Sequence, residues 1–191
     1  MKNTSAAREA LMDMPPRNEE ELDPVTLHNT ALMNIEQEPT VGFKKLNFLL
    51  SNPPFPNETF PNLILLYCKY NHFDLAADIL AENAHLTYRC LSQEDFEFLE
   101  NFILYQNSKE EANRKFEDLG SKHIDTLRKK TKAIQDARLA RDSGSINKAL
   151  QEYDSALDQY IPVLMMQAKN YWDKGNYNQV EKIFRQSTEF C

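Results

Sequence analysis

Apolar residues recur every three or four positions through most of this chain, which is the spacing of one face of an α-helix. From Asn62 to Cys191 the pattern is nearly continuous. Turn-forming residues interrupt it near residues 71, 89–92, 107, 120, 143–145, 160–162 and 175. Helices of about 11 to 20 residues joined by such short turns pack as antiparallel neighbours. The pattern therefore predicts an all-α chain built from helix pairs.

The first third of the chain is less regular. Residues 1–24 are polar and carry three prolines, which predicts an irregular lead-in. Asp23-Pro24 has the form of an N-cap followed by proline at the first helical position, so we expect a helix from there to about Gln37. Phe43 to Leu50 predicts a second short helix. The stretch 51–61 holds four prolines and is predicted to be a linker between helix pairs, within a helical array covering 25–191.

Four segments repeat the same residue types at the same offsets. Their origins are residues 67, 103, 140 and 171, so they are spaced by 36, 37 and 31 residues, near the roughly 34 of a tetratricopeptide repeat. Offset +4 is Asn or Gly, which tolerate the left-handed turn at a helix end. Offset +9 is Ala or Val, small enough for two helices to approach, and +13 is bulky. The predicted repeat-packing residues are Tyr67, Phe73, Ala76, Leu80, Ala112, Phe116, Gly144, Ala149, Tyr153, Tyr171, Gly175, Tyr177, Val180 and Phe184.

These offsets predict an all-α, TPR-like helix-turn-helix solenoid, a segment of a right-handed α-superhelix with about four or five helix pairs. A weaker fifth unit would start at Met33, with Gly42 at +9 and Leu46 at +13. The alternative is an ordinary helical bundle in which small and large residues align by accident.

The concave face of such a solenoid is its usual binding surface. Side chains three or four positions apart share a helix face, so Tyr67 with Tyr70, and Tyr171 with Lys174, are candidates for a partner-binding groove. Packing between repeats is the alternative role for these aromatic residues.

A long, strongly charged helix is predicted at about 121–141. It carries the basic residues Arg128, Lys129, Lys130, Lys132, Arg138 and Arg141. Two interpretations stay open: a solvated helix face, or a basic strip that contacts an acidic segment of a partner.

Composition and motifs exclude several classes of function. The net charge of −7 argues against nucleic acid as the main partner. The longest apolar run, Leu63 to Cys68, is too short to insert in a membrane. The three cysteines and four histidines form no zinc ligand pattern, and no cysteine is identified as a nucleophile by its neighbours. This use of cysteine favours a reducing, intracellular compartment. No catalytic motif or phosphate loop is present, so we expect no enzyme activity, cofactor, metal or small-molecule substrate.

Four long stretches resemble one family. They are REALMDMPPRNEEELDPVTLHNTALMN, LNFLLSNPPFP, LLYCKYNHFDLAADILAENAHLTY and YIPVLMMQAKNYWDKGNYNQVEKIFRQSTEFC. They closely resemble tetratricopeptide repeat protein 30, the intraflagellar transport protein 70 type of subunit. The resemblance extends from about Arg8 to Cys191, and residues 92–125 depart most from it. Family members are longer, so we expect a piece of a longer protein.

The resemblance implies a subunit of intraflagellar transport complex B in the cilium, in the region of the axoneme and basal body. It implies a superhelix enclosing an extended, proline-containing stretch of intraflagellar transport protein 52, contacts with other complex B subunits, and support of anterograde transport and cilium assembly. An indirect role in tubulin polyglutamylation follows in the same way. The alternative is a general co-chaperone-type TPR module, which grips an acidic C-terminal peptide through a clamp of Lys, Arg and Asn.

Overall fold

The structure, a computed structural model, describes residues 23–187 together with Ala6, Glu9 and Ala10. Within residues 23–187 every regular element is a helix, which confirms the all-α, TPR-like prediction. The predicted lead-in, 1–24, lies almost entirely outside the described residues. The helices are α1 (Pro24–Asn34), α2 (Pro39–Ser51), α3 (Thr59–Lys69), α4 (Phe73–Glu82), α5 (Ala84–Cys90), α6 (Gln93–Asn107), α7 (Lys109–Ala140), α8 (Ser143–Asp173) and α9 (Tyr177–Ser187).

Proline and aspartate set the first helix boundaries. One carboxylate oxygen of Asp23 accepts hydrogen bonds from the backbone N–H groups of Val25 and Thr26, at 3.0 and 3.1 Å. Pro24 occupies the first turn, where its missing N–H removes no helical bond. The helix ends at Asn34, earlier than the sequence predicts, and Pro39 begins α2 instead of merely interrupting the chain. The segment between α2 and α3 is residues 52–58, narrower than the predicted linker.

Two helices end in the same turn at equivalent repeat positions. After α3, Asn71 has φ of 60° and the N–H of His72 donates to the carbonyl of Tyr67 at 2.8 Å. After α8, Gly175 has φ of 70° and the N–H of Asn176 donates to the carbonyl of Tyr171 at 2.9 Å. A left-handed residue closed by this bond is the Schellman motif, which satisfies carbonyls left open at a helix end.

The helices form two compact units, Met1–Leu91 and Ser92–Cys191, called unit 1 and unit 2 below. In unit 1, α1 packs on α2, α2 on α3, and α3 on α4. Small residues make the close approaches. A Cβ on Gly42 would lie 3.2 Å from the carbonyl oxygen of Ala31, and Ala76 is completely buried. The largest fully buried side chains of this unit are Phe60, Leu46, Leu63, Ile64 and Thr59.

Unit 2 is organised by the antiparallel packing of α7 on α8, called the seam. Buried or half-buried residues of both helices alternate at spacings of three and four, the period of a coiled coil. On α7 they are Asn113, Phe116, Gly120, His123, Leu127, Lys130, Ile134 and Ala137. On α8 they are Ile146, Ala149, Tyr153, Ala156, Tyr160, Val163, Gln167 and Asn170.

Polar contacts fix the register of the seam. The side-chain amide of Asn113 donates to Asn170 Oδ1 at 2.6 Å, and both groups are buried. The side-chain amide of Gln167 donates to the carbonyl of Phe116 at 2.8 Å. Nearer the turn between the helices, Lys130 Nζ lies 2.7 Å from a carboxylate oxygen of Glu152. The C-terminal part of α7 thus packs on the N-terminal part of α8, and the two helices run antiparallel along the whole pair.

The seam corrects two predicted helix breaks. Gly120 lies inside α7 and does not end it. The position requires a glycine because Gln167 crosses directly over it, and a Cβ there would lie 2.3 Å from Gln167 Nε2. Pro162 lies inside α8 on its exposed side, where water can satisfy the carbonyl that loses its helical partner. The charged helix therefore runs from Lys109 to Ala140 instead of about 121–141.

The predicted turn residue of the third repeat is also corrected. Arg141, with φ of 54°, makes the left-handed turn after α7. Gly144 lies instead in the first turn of α8, where its N–H donates to Asp142 Oδ1 at 3.1 Å. The Asp142 side chain is an effective N-cap, which moves the start of α8 ahead of the glycine.

The far end of the seam, residues 128–155, is called the distal hairpin. Helix α6 meets α7 near Lys122, whose Nζ lies 3.0 Å from Glu97, and α9 reaches α7 near Ile124. Beyond that level α7 and α8 pack on each other, and Ile134 is the one buried residue among 128–155. Stability in this segment therefore depends on a narrow contact.

Replacing Gly120 by Leu should lower the free energy of unfolding of the chain by about 1–3 kcal/mol, the usual effect of overpacking. The new side chain must displace Gln167 from the carbonyl of Phe116. Urea denaturation followed by circular dichroism measures the change. Gly144→Leu is the matched control, since only Asp142 Oδ1 lies near its Cβ, at 3.4 Å. Equal losses in the two variants would contradict the packing assigned to Gly120.

Amide hydrogens of residues 128–150 should exchange faster than those of residues 110–123, although both segments are helical. Local opening requires less exposure of apolar surface where fewer side chains are buried. Hydrogen–deuterium exchange with mass spectrometry compares the two segments of α7 within one sample. Equal protection along α7 would show that the distal hairpin is covered by something else.

Candidate functional site

A cleft of about 560 Å³ opens between α2, α3 and α4 in unit 1, and we call it the α2–α4 cleft. It combines aromatic, aliphatic and amide side chains, the mixture that binds peptide segments through shape and a few hydrogen bonds. Its lining residues are Thr40, Phe43, Lys44, Asn47, Phe48, Ser51, Asn52, Tyr67, His72 and Leu75.

The inner wall of the cleft is a cluster of stacked rings. Phe43 stacks on Tyr67 with ring centroids 4.7 Å apart and planes 7° from parallel. The edge of Tyr70 meets Phe43 at 5.6 Å, and His72 lies 5.9 Å from Phe43 and 6.2 Å from Tyr67. The turn at Asn71 brings His72 back onto α3 and so completes the cluster. Such ring pairs contribute about 0.5–1.5 kcal/mol each beyond the area that they bury.

Hydrogen bonds hold the polar side chains of the cleft in place. The Asn47 amide donates to the carbonyl of Phe43 and to the hydroxyl of Tyr67, both at 2.8 Å. The Ser51 hydroxyl donates to the carbonyl of Asn47 at 3.0 Å. With these amide and hydroxyl protons already used within unit 1, the cleft is preorganised.

The rim of the cleft exposes two large apolar side chains. Phe48 is 55% exposed and Leu75 is 47% exposed. Both lie off the buried face of their helices, on which Leu46, Leu49 and Ala76 point into the core. Both side chains line the cleft, so they add exposed apolar surface to its aromatic wall.

The four residues predicted for the groove fall in different places. Tyr67 lines the cleft but is itself 93% buried, since it is 7% exposed. Tyr70 donates its hydroxyl to the carbonyl of Ile35 at 3.1 Å, which joins α3 to the end of α1. Tyr171 and Lys174 belong to unit 2: the Tyr171 hydroxyl donates to Glu117 at 3.0 Å, and Lys174 is exposed. Their common role in partner binding stays a prediction.

The predicted repeat-packing residues also vary in burial. Ala76, Ala112 and Phe116 have at most 1% of their surface exposed, and Tyr67 joins them in the core. Half-buried are Phe73, Leu80, Ala149, Tyr153, Tyr171 and Val180. Exposed are Gly144, Gly175, Tyr177 and Phe184.

Sequence reasoning missed the residues that shape the cleft beside Tyr67, namely Phe43, Asn47, Phe48 and Leu75. A signal for two of them was present. Phe48 and Leu75 interrupt the polar side of an amphipathic helix, where an apolar residue has no neighbour of its own helix to pack on. The Asn47 contact joins residues twenty positions apart, which periodicity cannot reveal.

The histidines and cysteines that the structure buries are core groups. His28 Nδ1 lies 3.0 Å from the hydroxyl of Thr59, and its Nε2 lies 3.3 Å from the amide nitrogen of Asn62. Because the Asn62 amide donates, Nε2 accepts and the proton resides on Nδ1. Burial raises the pKa of Cys68 to about 11 and also raises the pKa of Cys90, so burial does not favour the reactive thiolate form of either.

Metal-binding clusters and membrane-spanning helices are both absent from the described residues. No group of three or more His, Cys, Asp or Glu side chains there is arranged to hold a metal ion. Within the same part of the chain, no helix has both the length and the apolar character needed to cross a bilayer.

Comparison with known proteins gives consistent matches. The sequence model of the intraflagellar transport protein 70 C-terminal domain matches residues 59–191. Intraflagellar transport protein 70A of Danio rerio is 60% identical over 191 residues, all of this chain and 29% of that relative. The 70A protein of Xenopus tropicalis and the 70B protein of Mus musculus are each 59% identical over the same share. The chain thus spans 29% of the length of these relatives.

The helices, the Schellman turns at equivalent repeat positions and the small residues at helix crossings define an all-α protein of the TPR-like class. The aromatic cleft is consistent with that class, whose members commonly bind other chains. Within it, this chain belongs to the intraflagellar transport protein 70 family.

The stability of the fold should fall as pH drops below about 6.5, the ordinary value for histidine. Burial lowers the pKa of His28, although the negative charge of Glu58 acts in the opposite direction. Burial likewise lowers the pKa of His123, although the charges of Glu94 and Glu97 act in the opposite direction. Between each lowered pKa and the ordinary one, the unfolded chain binds more protons, so acid favours unfolding.

Thermal denaturation between about pH 8 and pH 5.5 measures this dependence. His28→Gln should flatten the curve, because glutamine keeps a hydrogen-bonding amide there without a titrating group. His85→Gln, a change at an exposed position of α5, is the control. A curve that is unchanged in the His28 variant would contradict the assignment.

Proposed function

We propose that this chain is part of a non-catalytic scaffold subunit of intraflagellar transport complex B, working in the cilium near the axoneme and basal body. Family membership supports the setting, and the α2–α4 cleft supports the mode of action. In this role the chain binds partner subunits and holds them in a fixed arrangement during anterograde transport and cilium assembly. Its contribution to tubulin polyglutamylation is indirect and depends on transport.

The observation that carries the binding role is the exposed pair Phe48 and Leu75 beside the ring cluster. An extended, proline-containing segment of intraflagellar transport protein 52 fits this chemistry. Proline rings pack on aromatic and aliphatic side chains, and a preformed extended segment loses little entropy on binding. Docking would bury apolar surface that water now covers.

The polar groups of the cleft support binding over catalysis. Ser51 has its hydroxyl committed to a backbone carbonyl and Asn47 has its amide committed to Tyr67. A nucleophile requires a base within hydrogen-bonding reach. No described contact links Ser51 to His72, the one histidine that lines the cleft.

The alternative, a co-chaperone-type module, requires several cationic groups that converge on a carboxylate. Lys44 is the single Lys or Arg among the residues that line the cleft. The cleft therefore suits an apolar segment better than an acidic terminus.

The double variant Phe48→Ala, Leu75→Ala should weaken capture of intraflagellar transport protein 52 by about tenfold or more, because exposed anchors at a docking surface each contribute about 1–2 kcal/mol. Co-purification followed by a binding titration of the whole chain measures the loss. The matched control is Tyr88→Ala, Leu65→Ala, a change at exposed residues of the same unit that do not line the cleft.

Both double variants should keep the helical circular dichroism of the parent chain, since all four side chains are at least 47% exposed. Equal capture by the cleft variant and the parent would reject the cleft as the binding site. Tighter binding of an acidic C-terminal peptide than of the proline-containing segment would favour the co-chaperone-type module.

A further inference from the structure

The distal hairpin concentrates positive charge in an acidic protein. Residues 128–155 contain seven Lys or Arg and four Asp or Glu, whereas the whole chain has a net charge of −7. Ile134 is the one buried residue among 128–155, so this charge lies on a largely exposed segment of unit 2. The basic residues are Arg128, Lys129, Lys130, Lys132, Arg138, Arg141 and Lys148.

Little of this charge is neutralised within unit 2. Arg128 faces Asp125 at 3.6 Å, and Lys130 pairs with Glu152 at 2.7 Å across the seam. Among the described residues, none forms an ion pair with Lys129, Lys132, Arg138 or Arg141, and all four are exposed.

The same surface presents an apolar side chain. Leu139, one position past Arg138 in the last turn of α7, is 83% exposed. It shares the outer face of the helix, opposite the seam, with Arg128, Lys132 and the acidic Asp136, since these residues follow at helical spacing. Cationic groups around one exposed leucine form a surface that can contact both the charged and the apolar atoms of a peptide.

We propose that the distal hairpin is a docking surface for an acidic segment of a partner protein. Charge complementarity supports this occupant, because Lys129, Lys132, Arg138 and Arg141 are exposed and can pair with the carboxylates of an acidic segment. Arg and Lys at a rim steer an acidic partner and select it over neutral ones. The site shares no residue with the α2–α4 cleft, which belongs to unit 1.

Two other polyanions fit less well. Single-stranded nucleic acid binding relies on exposed aromatic side chains for stacking, and the one aromatic residue among 128–155, Tyr153, is half-buried. An anionic membrane surface requires an apolar helix face rich in Trp, Phe or Leu, whereas Leu139 is almost alone on the outer face. A short acidic peptide needs neither feature, because it can pair with the basic groups and contact Leu139.

The test uses the whole chain and a short fluorescent peptide rich in Glu and Asp, with anisotropy as the readout. The parent chain should bind the peptide, with an affinity that falls as salt rises. The triple variant Lys129→Gln, Lys132→Gln, Arg138→Gln should bind about tenfold more weakly. Glutamine has a similar helix propensity, so circular dichroism should be unchanged.

The matched control removes the same charge elsewhere: Arg89→Gln, Arg114→Gln, Lys182→Gln, which are all exposed. It should change binding less than about twofold, because none of the three residues belongs to the distal hairpin. Equal weakening in both triple variants, or no binding by the parent chain, overturns the proposal. So does tighter binding of single-stranded DNA or of phosphatidylserine vesicles than of the peptide.

Discussion

The antiparallel packing of α7 on α8 is the contact that the rest of unit 2 depends on. Its side chains alternate at three and four positions, so both helices stay in contact over their full length. Buried polar pairs, above all Asn113 with Asn170, make one register better than its neighbours, because a shift would leave an amide unpaired in the core. Helices α6 and α9 then pack on the base of this pair, and the distal hairpin is what they leave uncovered.

Unit 1 forms its aromatic cleft from a different kind of packing. Its helices are short, and small residues such as Gly42 and Ala76 let them cross closely. The Schellman turn at Asn71 returns the chain so that His72 meets the rings of Phe43 and Tyr67. Because those rings are used for internal packing, the apolar surface that the cleft exposes to solvent belongs to their neighbours, Phe48 and Leu75. The residues that support the cleft are thus different from the residues that it exposes to solvent.

The repeat offsets predicted the fold because turn residues and small residues have local physical causes. Asn71 and Gly175 tolerate left-handed backbone, and Ala76 and Ala112 fit where helices cross. Gly120 and Pro162 gave wrong predictions for a related reason. Each residue type commonly ends a helix, but here Gly120 makes room for Gln167 and Pro162 faces water. Those outcomes depend on a helix far along the chain. The cleft was only partly predictable, since Phe48 breaks a pattern visibly whereas the Asn47 contact with Tyr67 spans twenty positions.

The heptad spacing of the seam has a consequence for how the distal hairpin can vary in length. Adding or removing seven residues in both arms would preserve every facing pair and change the reach of the hairpin by about 10 Å, given 1.5 Å of rise per residue. An insertion in one arm alone, or one of another length, would rotate a strip of polar residues into the contact. The two arms should therefore change in length together, by seven residues at a time. Relatives with longer or shorter hairpins should differ by seven residues in each arm.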